Sequence, residues 1–258
     1  MLEILAATVL ALTPATVISR LPAPEAEQGV AVDAGHIYAV DNSRIAKYDR
    51  KTGAKVAHFQ GDPAKFPHMN SCAVIGAELI CAGSNYPVTP MQSQVEVFDP
   101  VRMVHLRTIP LGRQPGSLTW VDRRDGSWWA GFANYDGRGG EPGRDHRATA
   151  VVRFDDQWRA LETWTFPDVV LARMAPSSAS GGAFGADGRL YVTGHDRPEL
   201  YVLDVPKGGG VLIHVATIPI AVEGQAITFD RTAPSVLFGV NRSKREVVAM
   251  KLPPVESK

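Results

Sequence analysis

The chain has 258 residues, of which 45% are hydrophobic and 21% charged, a composition typical of a globular protein with one sizeable core. Lys plus Arg and Asp plus Glu are equal at 27 each, so the charge balance gives no reason to expect a nucleic acid or an anionic membrane as a partner. The 24 glycines and 19 prolines lie between short apolar runs, a pattern that indicates the frequent turns of an all-β chain.

The N-terminus contains an apolar stretch over residues 4–12, followed by small residues at positions 13–15, where a signal peptidase would cut. The stretch is too short to span a bilayer, and no other segment qualifies. Two interpretations stay open. In the first, residues 1–15 are a signal peptide, although Glu3 stands where basic residues are usual, and the protein is secreted or periplasmic. In the second, residues 4–12 are a buried strand and the protein is cytoplasmic. Both leave residues 16–258 as a single domain.

The two cysteines, Cys72 and Cys81, flank a tight turn in the segment NSCAVIGAELICAGSN. If Val74 pairs with Leu79, Cys72 lies opposite Cys81 and their side chains share one face of the hairpin. A cross-strand disulfide in an oxidising compartment and two buried thiols are both compatible with this spacing. Two cysteines without a second pair do not make a zinc site.

Five apolar, β-prone runs end in a small polar corner. The corner residues are Asn42, Asn85, Asn134, Asp196 and Asn241. Each run has a partner strand upstream and a third strand downstream, and a fourth, more polar strand follows in four of the five units. The fifth unit lacks that strand, and residues 16–21 can supply it. The pattern predicts an all-β, five-bladed β-propeller with four-stranded antiparallel blades, closed by an N-terminal strand. The best helix candidate is the short segment 167–174.

Four short motifs support a resemblance at this point: HMNS, SNYP, TGHD and EGQ. With the blade rhythm, they make the chain similar to five-bladed propellers of the quinoprotein-like and YVTN-like superfamily, within a bacterial group of secreted propellers. The chain also resembles the glutamine cyclotransferase propellers and the SMP-30 or lactonase-type propellers, although the lactonases have six blades. The likeness covers nearly the whole chain as architecture, which by itself implies little about function.

The loop that enters the first strand of a blade and the loop that leaves the second open on the same rim, conventionally the top. We expect the ligand-binding residues there. They are Gln28, Asn70, Asn85, Tyr86, Gln114, Asn134, Asp136, Gln225 and Arg242. The rim also carries Asn42, Tyr135 and Ser180. Each Asn or Asp corner can alternatively serve only to cap its own turn.

Three long connections lie on this rim, at residues 84–94, 134–150 and 166–182. Their length predicts that they form a lid over the mouth of the channel. In the second of them, Arg138, with Arg144 and Arg147, is suited to gripping an anion. The alternative is a mobile surface loop, since the segment does not resemble a phosphate-binding loop.

The resemblance to the lactonases implies a divalent cation held by Glu, Asn and Asp side chains above the channel. The candidate ligands here are Glu223, Asn70, Asn134 and Asp196, an oxygen-rich set that favours Ca²⁺ or another hard cation. The candidate general bases are His68 and His195. His195 adjoins Asp196, and neighbours in a strand point to opposite faces, so we expect these two not to act as a hydrogen-bonded dyad.

Two functions follow from these residues. The first is a secreted or periplasmic, monomeric propeller that binds a small polar ligand, such as a sugar, a metabolite or a peptide, on its top rim. The alternative is an enzyme, either a metal-dependent, lactonase-like hydrolase or a cyclotransferase-like enzyme with a histidine base. The sequence leaves open whether the protein is an enzyme.

Overall fold

The computed structural model describes residues 13–256 and shows five antiparallel sheets arranged as a five-bladed β-propeller. The predicted fold is therefore confirmed. The apolar stretch 4–12, for which a signal peptide and a strand were the alternatives, lies outside the described residues.

Four sheets follow one another along the chain. Blade 1 consists of β2 (Gly29–Val32), β3 (His36–Asp41), β4 (Arg44–Asp49) and β5 (Lys55–Gln60). Blade 2 consists of β6 (His68–Ile75), β7 (Glu78–Ser84), β8 (Ser93–Asp99) and β9 (Val104–Gly112). Blade 3 contains β10 (Ser117–Arg124), β11 (Ser127–Ala133), β12 (Ala150–Phe154) and β13 (Ala160–Thr165). Blade 4 consists of β14 (Gly181–Phe184), β15 (Leu190–Thr193), β16 (Glu199–Asp204) and β18 (Ile213–Pro219).

Blade 5 joins the two ends of the chain. Its strands are β19 (Ile227–Phe229), β20 (Val236–Asn241), β21 (Glu246–Lys251) and β1 (Thr16–Pro22). Strand β1 pairs antiparallel with β21, from Thr16 opposite Lys251 to Pro22 opposite Glu246. The N-terminal strand thus completes the ring as predicted, and it leaves no open seam between the first and last blades.

The burial of the strands follows their position in each blade. The second and third strands are almost entirely buried, whereas the outermost strands β5, β9, β13 and β18 consist mainly of exposed and part-buried residues. The core therefore lies between neighbouring blades. Trp120 shows how tight this packing is, because a Cβ at either Gly131 or Gly182 would overlap its fully buried indole ring.

One strand pairing was not expected. The two residues of β17 (Gly210–Val211) pair in parallel with β13, and so add a fifth strand to blade 3 before the chain returns to blade 4 at β18. Gly209 and Gly210 both have positive φ there, at 80° and 108°, which side chains other than glycine rarely adopt.

The short helical elements lie in the long rim connections. The helix predicted over 167–174 forms as α1 (Asp168–Met174), and a 3₁₀ turn spans His146–Ala148. Within residues 13–256, no helix has the length and apolar character needed to cross a membrane.

The cysteine hairpin has the register that the sequence predicts. Val74 lies opposite Leu79 and Cys72 opposite Cys81, and the two cysteines form a disulfide with their Cα atoms 4.0 Å apart. Both cysteines are buried in the core between blades 1 and 2. Of the two alternatives left open for them, the structure has the disulfide.

Candidate functional site

A cavity of about 610 Å³ lies where the top rim meets the central channel. This volume is in the range of small-molecule sites, roughly 300–1,000 Å³. The predicted rim residues that line it are Gln28, Asn42, His68, Asn70, Tyr86, Tyr135, Arg138, Ser180, His195, Gln225 and Arg242. The rim connections of blades 2, 3 and 4 contribute to its walls through Pro87, Gly137 and Pro176.

The floor of the cavity carries one buried, uncharged polar side chain from each of the five blades. We call this set the floor ring; it consists of Gln28, Asn70, Thr119, Ser180 and Gln225. Irregular strand geometry sets two of its members in place. The register of β6 shifts between Met69 and Cys72, and that of β10 shifts between Leu118 and Trp120.

Hydrogen bonding within the floor ring is incomplete. Asn70 Nδ2 donates to the Leu118 carbonyl over 3.1 Å, and Gln28 Nε2 lies 3.4 Å from Asn42 Oδ1. The side chains of Ser180 and Gln225 bond to no described residue, although Gln225 is only 4% exposed. A buried amide without a protein partner needs water or a ligand to satisfy it. The floor therefore offers free donors and acceptors.

His68 is held in one orientation by two residues of the blade 1 corner. Asn42 Nδ2 donates to Asp41 Oδ1 over 3.0 Å, so Asn42 Oδ1 is left to face His68 Nδ1 at 2.7 Å. An amide oxygen only accepts, and His68 Nδ1 must therefore carry the proton. Its Nε2 has a lone pair and no protein partner among the described residues.

Burial and, to a lesser degree, the positive charge of Arg242 together lower the pKa of His68 to about 4. At neutral pH the imidazole is therefore uncharged. Because Nδ1 carries its single proton, Nε2 can accept a hydrogen bond or a proton from a molecule in the cavity.

An aromatic wall stands beside His68. The rings of His68 and Tyr86 have centroids 5.0 Å apart, and those of Tyr86 and Tyr135 are 5.1 Å apart. Burial raises the pKa of Tyr135, so its hydroxyl stays protonated. Gly139, with φ of 82°, packs directly on Tyr86, where a Cβ would overlap the ring. The blade 3 connection thus fixes the wall from behind.

Three charged side chains line the cavity: Glu27, Arg138 and Arg242. Arg242 donates to Glu27 over 3.2 Å, and Arg245 donates to the other carboxylate oxygen over 2.7 Å. Burial alone would raise the pKa of Glu27, but the hydrogen bond and charge of Arg245 and the charge of Arg242 outweigh it and hold that pKa below its usual value. Arg138 makes no hydrogen bond or ion pair with any described residue.

The geometric expectation for His195 and Asp196 was wrong. Strand β15 ends at Thr193, and the residues that follow form a bend. In that bend the two side chains turn toward each other, and His195 Nδ1 lies 2.6 Å from Asp196 Oδ1. Opposite orientations apply only to neighbours within a strand. His195 therefore has the oriented partner that a histidine base requires, and it lines the cavity.

The other predicted ligand-binding residues do not line this cavity. Asn85 closes its own loop through both amide atoms. Gln114 and Asn134 donate to backbone carbonyls, and Asn134 is fully buried. Asp136 bonds to His146 within the blade 3 connection. In this structure these four side chains hold loops together.

The predicted cation ligands have different partners in the structure. Asn70 lines the cavity, Asn134 bonds to backbone, Asp196 bonds to His195, and Glu223 accepts from Ser243 Oγ at 2.7 Å. A cation held by these four residues stays a prediction, and no step is derived through one.

Asp136, Asp145 and His146 in the blade 3 connection have ligand atoms within 4.8 Å of one another. Asp145 is paired with Arg147, and His146 with Asp136. The existing bonds of this group explain its arrangement without a metal ion.

A second cavity of about 390 Å³ opens at the bottom of the channel. Its charged residues are already paired. Arg231 donates to Asp122 over 2.8 Å, and Arg50 donates to Asp230 over 2.5 Å. Arg124 donates to the Gly188 carbonyl. These pairs tie blades together, whereas the top cavity retains unpaired polar groups, so the top is the better candidate site.

Two polar cavity residues outside the predicted rim connections were not anticipated from the sequence. Thr119 reaches the floor through the irregularity in β10, whereas Gln114 was the expected ligand-binding residue at the entrance to that blade. Glu27 precedes Gln28 without any motif around it. Ion pairs with two arginines of blade 5 hold Glu27 in the cavity wall. These arginines are more than 200 residues away along the chain, so the sequence alone does not reveal the pairing.

No protein family model matches this chain, and no curated protein matches it either. Solved structures do. The PQQ-bound form of an aldose sugar dehydrogenase from Streptomyces coelicolor matches with a TM-score of 0.54 and 12% identity, covering 97% of this chain and 83% of that one.

A luciferin-regenerating enzyme matches with a TM-score of 0.52 and 10% identity, covering 93% of this chain and 97% of that one. A chain of a mitotic checkpoint complex gives a TM-score of 0.50 and 10% identity, with 93% and 96% covered. At such identities the likeness concerns the propeller fold alone.

Proposed function

We propose that the protein binds a small polar molecule, such as a sugar, a metabolite or a short peptide, in the top cavity. The observation that carries this proposal is the floor ring, in which all five blades contribute a buried polar side chain to one cavity. Hydrophobic packing would not place five such groups together, because each loses hydration when it is buried.

The uncharged character of the floor indicates the kind of contact. Amides and hydroxyls both donate and accept, so they match hydroxyl and amide groups of a ligand. The aromatic wall of His68, Tyr86 and Tyr135 adds an apolar side, as small-molecule sites commonly have.

Gln225→Leu tests the proposal, because it keeps the volume of the side chain and removes its hydrogen bonds. A panel of sugars, amino acids, short peptides and organic acids is screened by ligand-observed NMR against the wild-type protein. We expect hits whose affinity falls about tenfold in Gln225→Leu, the loss expected for an unsatisfied polar contact. The matched control is Gln92→Leu, at an exposed residue outside the cavity. Equal binding by both variants would place the ligand elsewhere.

We also propose that the protein works in an oxidising compartment, either the periplasm or outside the cell. The disulfide between Cys72 and Cys81 supports this, since disulfides persist in such compartments and are rare in the cytosol. Fractionation of the native host, with detection of the chain in periplasm and medium, tests it. A chain found only in the cytosol with free thiols would contradict it.

The hydrogen bond between His195 and Asp196 favours hydrolysis as a second candidate function. In such a reaction His195 Nε2 removes a proton from water as the water oxygen attacks a carbonyl carbon, and Asp196 stabilises the imidazolium. The imidazolium then returns the proton to the leaving oxygen. The bond to the leaving oxygen breaks, and no oxidant or reductant is required.

A screen of lactones and esters tests this candidate. We expect His195→Gln to abolish turnover and Asp196→Asn to lower kcat more than it raises KM, since Asp196 orients the base and does not touch the substrate. His58→Gln, at an exposed histidine of β5, is the control. Turnover that persists in His195→Gln would exclude His195 as the base.

A further inference from the structure

The charged groups of the top cavity are unevenly matched. Glu27 is the acidic side chain among the described lining residues, and Arg138 and Arg242 are the basic ones. Glu27 is paired with Arg242 and also with Arg245, which does not line the cavity, so the lining itself carries two cations and one anion. The lining therefore has an excess of positive charge.

Arg138 is the clearest sign of this excess. Most arginines of the described chain are in ion pairs with a carboxylate, as are Arg113 and Arg144 on the adjoining rim. Arg138 lines the cavity from the blade 3 connection and has no such partner. A guanidinium offers a planar fork of donors that fits a carboxylate in two parallel hydrogen bonds.

The electrostatics of His68 agree with this excess. Besides burial, the charge of Arg242 disfavours a second cation at the imidazole. The other ionisable groups that line the cavity around it are Glu27, Tyr86, Tyr135, Arg138 and His195, with Asp41 behind Asn42. A cationic ligand would meet the same repulsion, whereas an anionic ligand would relieve it.

The remaining surfaces restrict the body of the ligand. The floor ring is uncharged, and the aromatic wall presents the Tyr86 ring between His68 and Tyr135. One negative charge balances the formal excess of two arginines over one glutamate, and the fork geometry of arginine suits a carboxylate. A phosphate at neutral pH would bring a larger charge than the lining balances.

The geometry points to a small organic acid as the ligand of the top cavity, with its single carboxylate bound by Arg138 and Arg242 and its uncharged polar body on the floor ring. This inference rests on the proposed function, because it names the class of molecule that the cavity binds. It also assigns a role to Arg138, whose charge nothing else in the described chain uses.

Matched pairs of acid and amide test the inference with the full-length protein. The probes are gluconate with gluconamide and 4-hydroxybenzoate with 4-hydroxybenzamide, measured by calorimetry at constant ionic strength. Glucose 6-phosphate is the phosphate arm. We expect an acid to bind at least about tenfold more tightly than its amide, since a charge-assisted pair is stronger than a neutral hydrogen bond.

The variants Arg138→Gln and Arg242→Gln test whether these two arginines bind the carboxylate of the ligand. Each should weaken binding of the acid about tenfold and change binding of the amide little. The matched control is Arg197→Gln, which removes one charge from an exposed arginine of the same rim that does not line the cavity. Loss of acid binding in that control as well would show only a general effect of net charge.

The NMR titration of the His68 ring gives a readout that a merely structural effect would not move. A bound carboxylate should raise the pKa of His68 from about 4, because it offsets the charge of Arg242. An unchanged pKa with saturating acid would overturn the placement of the carboxylate.

The outcomes separate this inference from the proposed function. Amides that bind as well as their acids, or a phosphate that binds more tightly than any carboxylate, would overturn the inference and leave ligand binding in place. If no acid, amide or sugar binds, and Gln225→Leu changes nothing, both fail.

Discussion

The pKa of His68 makes a prediction about stability that can be worked out from the structure. The folded protein holds this pKa near 4, whereas the unfolded chain has the ordinary histidine value of 6.5. Between these values the unfolded chain binds one proton more than the folded protein. The free energy of unfolding therefore decreases as the pH falls from about 6.5 to about 4. Above and below that range, the contribution of His68 to the free energy of unfolding does not change with pH.

The magnitude follows from the difference between the two values. Each pH unit corresponds to about 1.4 kcal/mol, so the full window amounts to about 3 kcal/mol. His68→Gln replaces the titrating imidazole by a neutral amide of similar size. We expect the stability of wild type relative to His68→Gln to fall by about 3 kcal/mol between pH 6.5 and 4, measured by urea unfolding at closely spaced pH values.

A second variant should counteract the lowering of the His68 pKa. Asn42→Asp replaces the neutral acceptor of His68 Nδ1 by a carboxylate, which favours the charged imidazole and raises its pKa. The pH dependence assigned to His68 should then become shallower. A difference between wild type and His68→Gln that stays level from pH 6.5 to 4 would refute the reasoning, because it would mean that His68 is charged in the folded protein as easily as in the unfolded chain.

Three further predictions concern the framework. Replacing both Cys72 and Cys81 by Ala should lower the free energy of unfolding by about 2–3 kcal/mol, since the disulfide closes a loop of about 10 residues; an equally stable double variant would contradict this. Gly131→Ala should lower the free energy of unfolding by about 1–3 kcal/mol or more, because its Cβ would overlap Trp120. Gly35→Ala should stay within about 0.5 kcal/mol of wild type, because the nearest atom to its Cβ would be Asp33 Oδ1 at an ordinary contact distance of 3.8 Å. Deleting residues 1–22 removes β1 and leaves β21 without its outer partner, so the thermal midpoint should fall by more than about 5 °C relative to a chain that begins at residue 13. Similar midpoints for the two chains would show that β1 contributes little to closing the ring.

The propeller architecture could be predicted because the same strand pattern is repeated five times along the sequence. Each blade repeats a buried hairpin followed by a third strand, and the missing fourth strand of blade 5 pointed to residues 16–21. The cysteine register followed from the length of a tight turn, which fixes pairing in a hairpin. Such features depend on neighbours close in sequence.

The features that escaped prediction depend on local departures from regular strands. Thr119 enters the floor ring through an irregularity in β10, and β17 pairs with blade 3 where consecutive glycines allow positive φ. The bend after Thr193 lets His195 reach Asp196. A periodic pattern assigns strand geometry throughout a run, so it misplaces side chains where the strand ends or bulges.

The two histidines of the cavity show how different corners of one repeat can produce different chemistry. In both, Nδ1 faces an oxygen, which leaves Nε2 for the cavity. His68 faces the amide of Asn42, which has no negative charge to stabilise an imidazolium, and it stays neutral beside Arg242. His195 faces a carboxylate, which stabilises the charge that a base acquires during a reaction. If the cavity only binds a ligand, Asp196→Asn should leave affinity nearly unchanged. If it hydrolyses one, the same substitution should reduce turnover while His68→Gln mainly reduces affinity, and that contrast separates the two candidate functions.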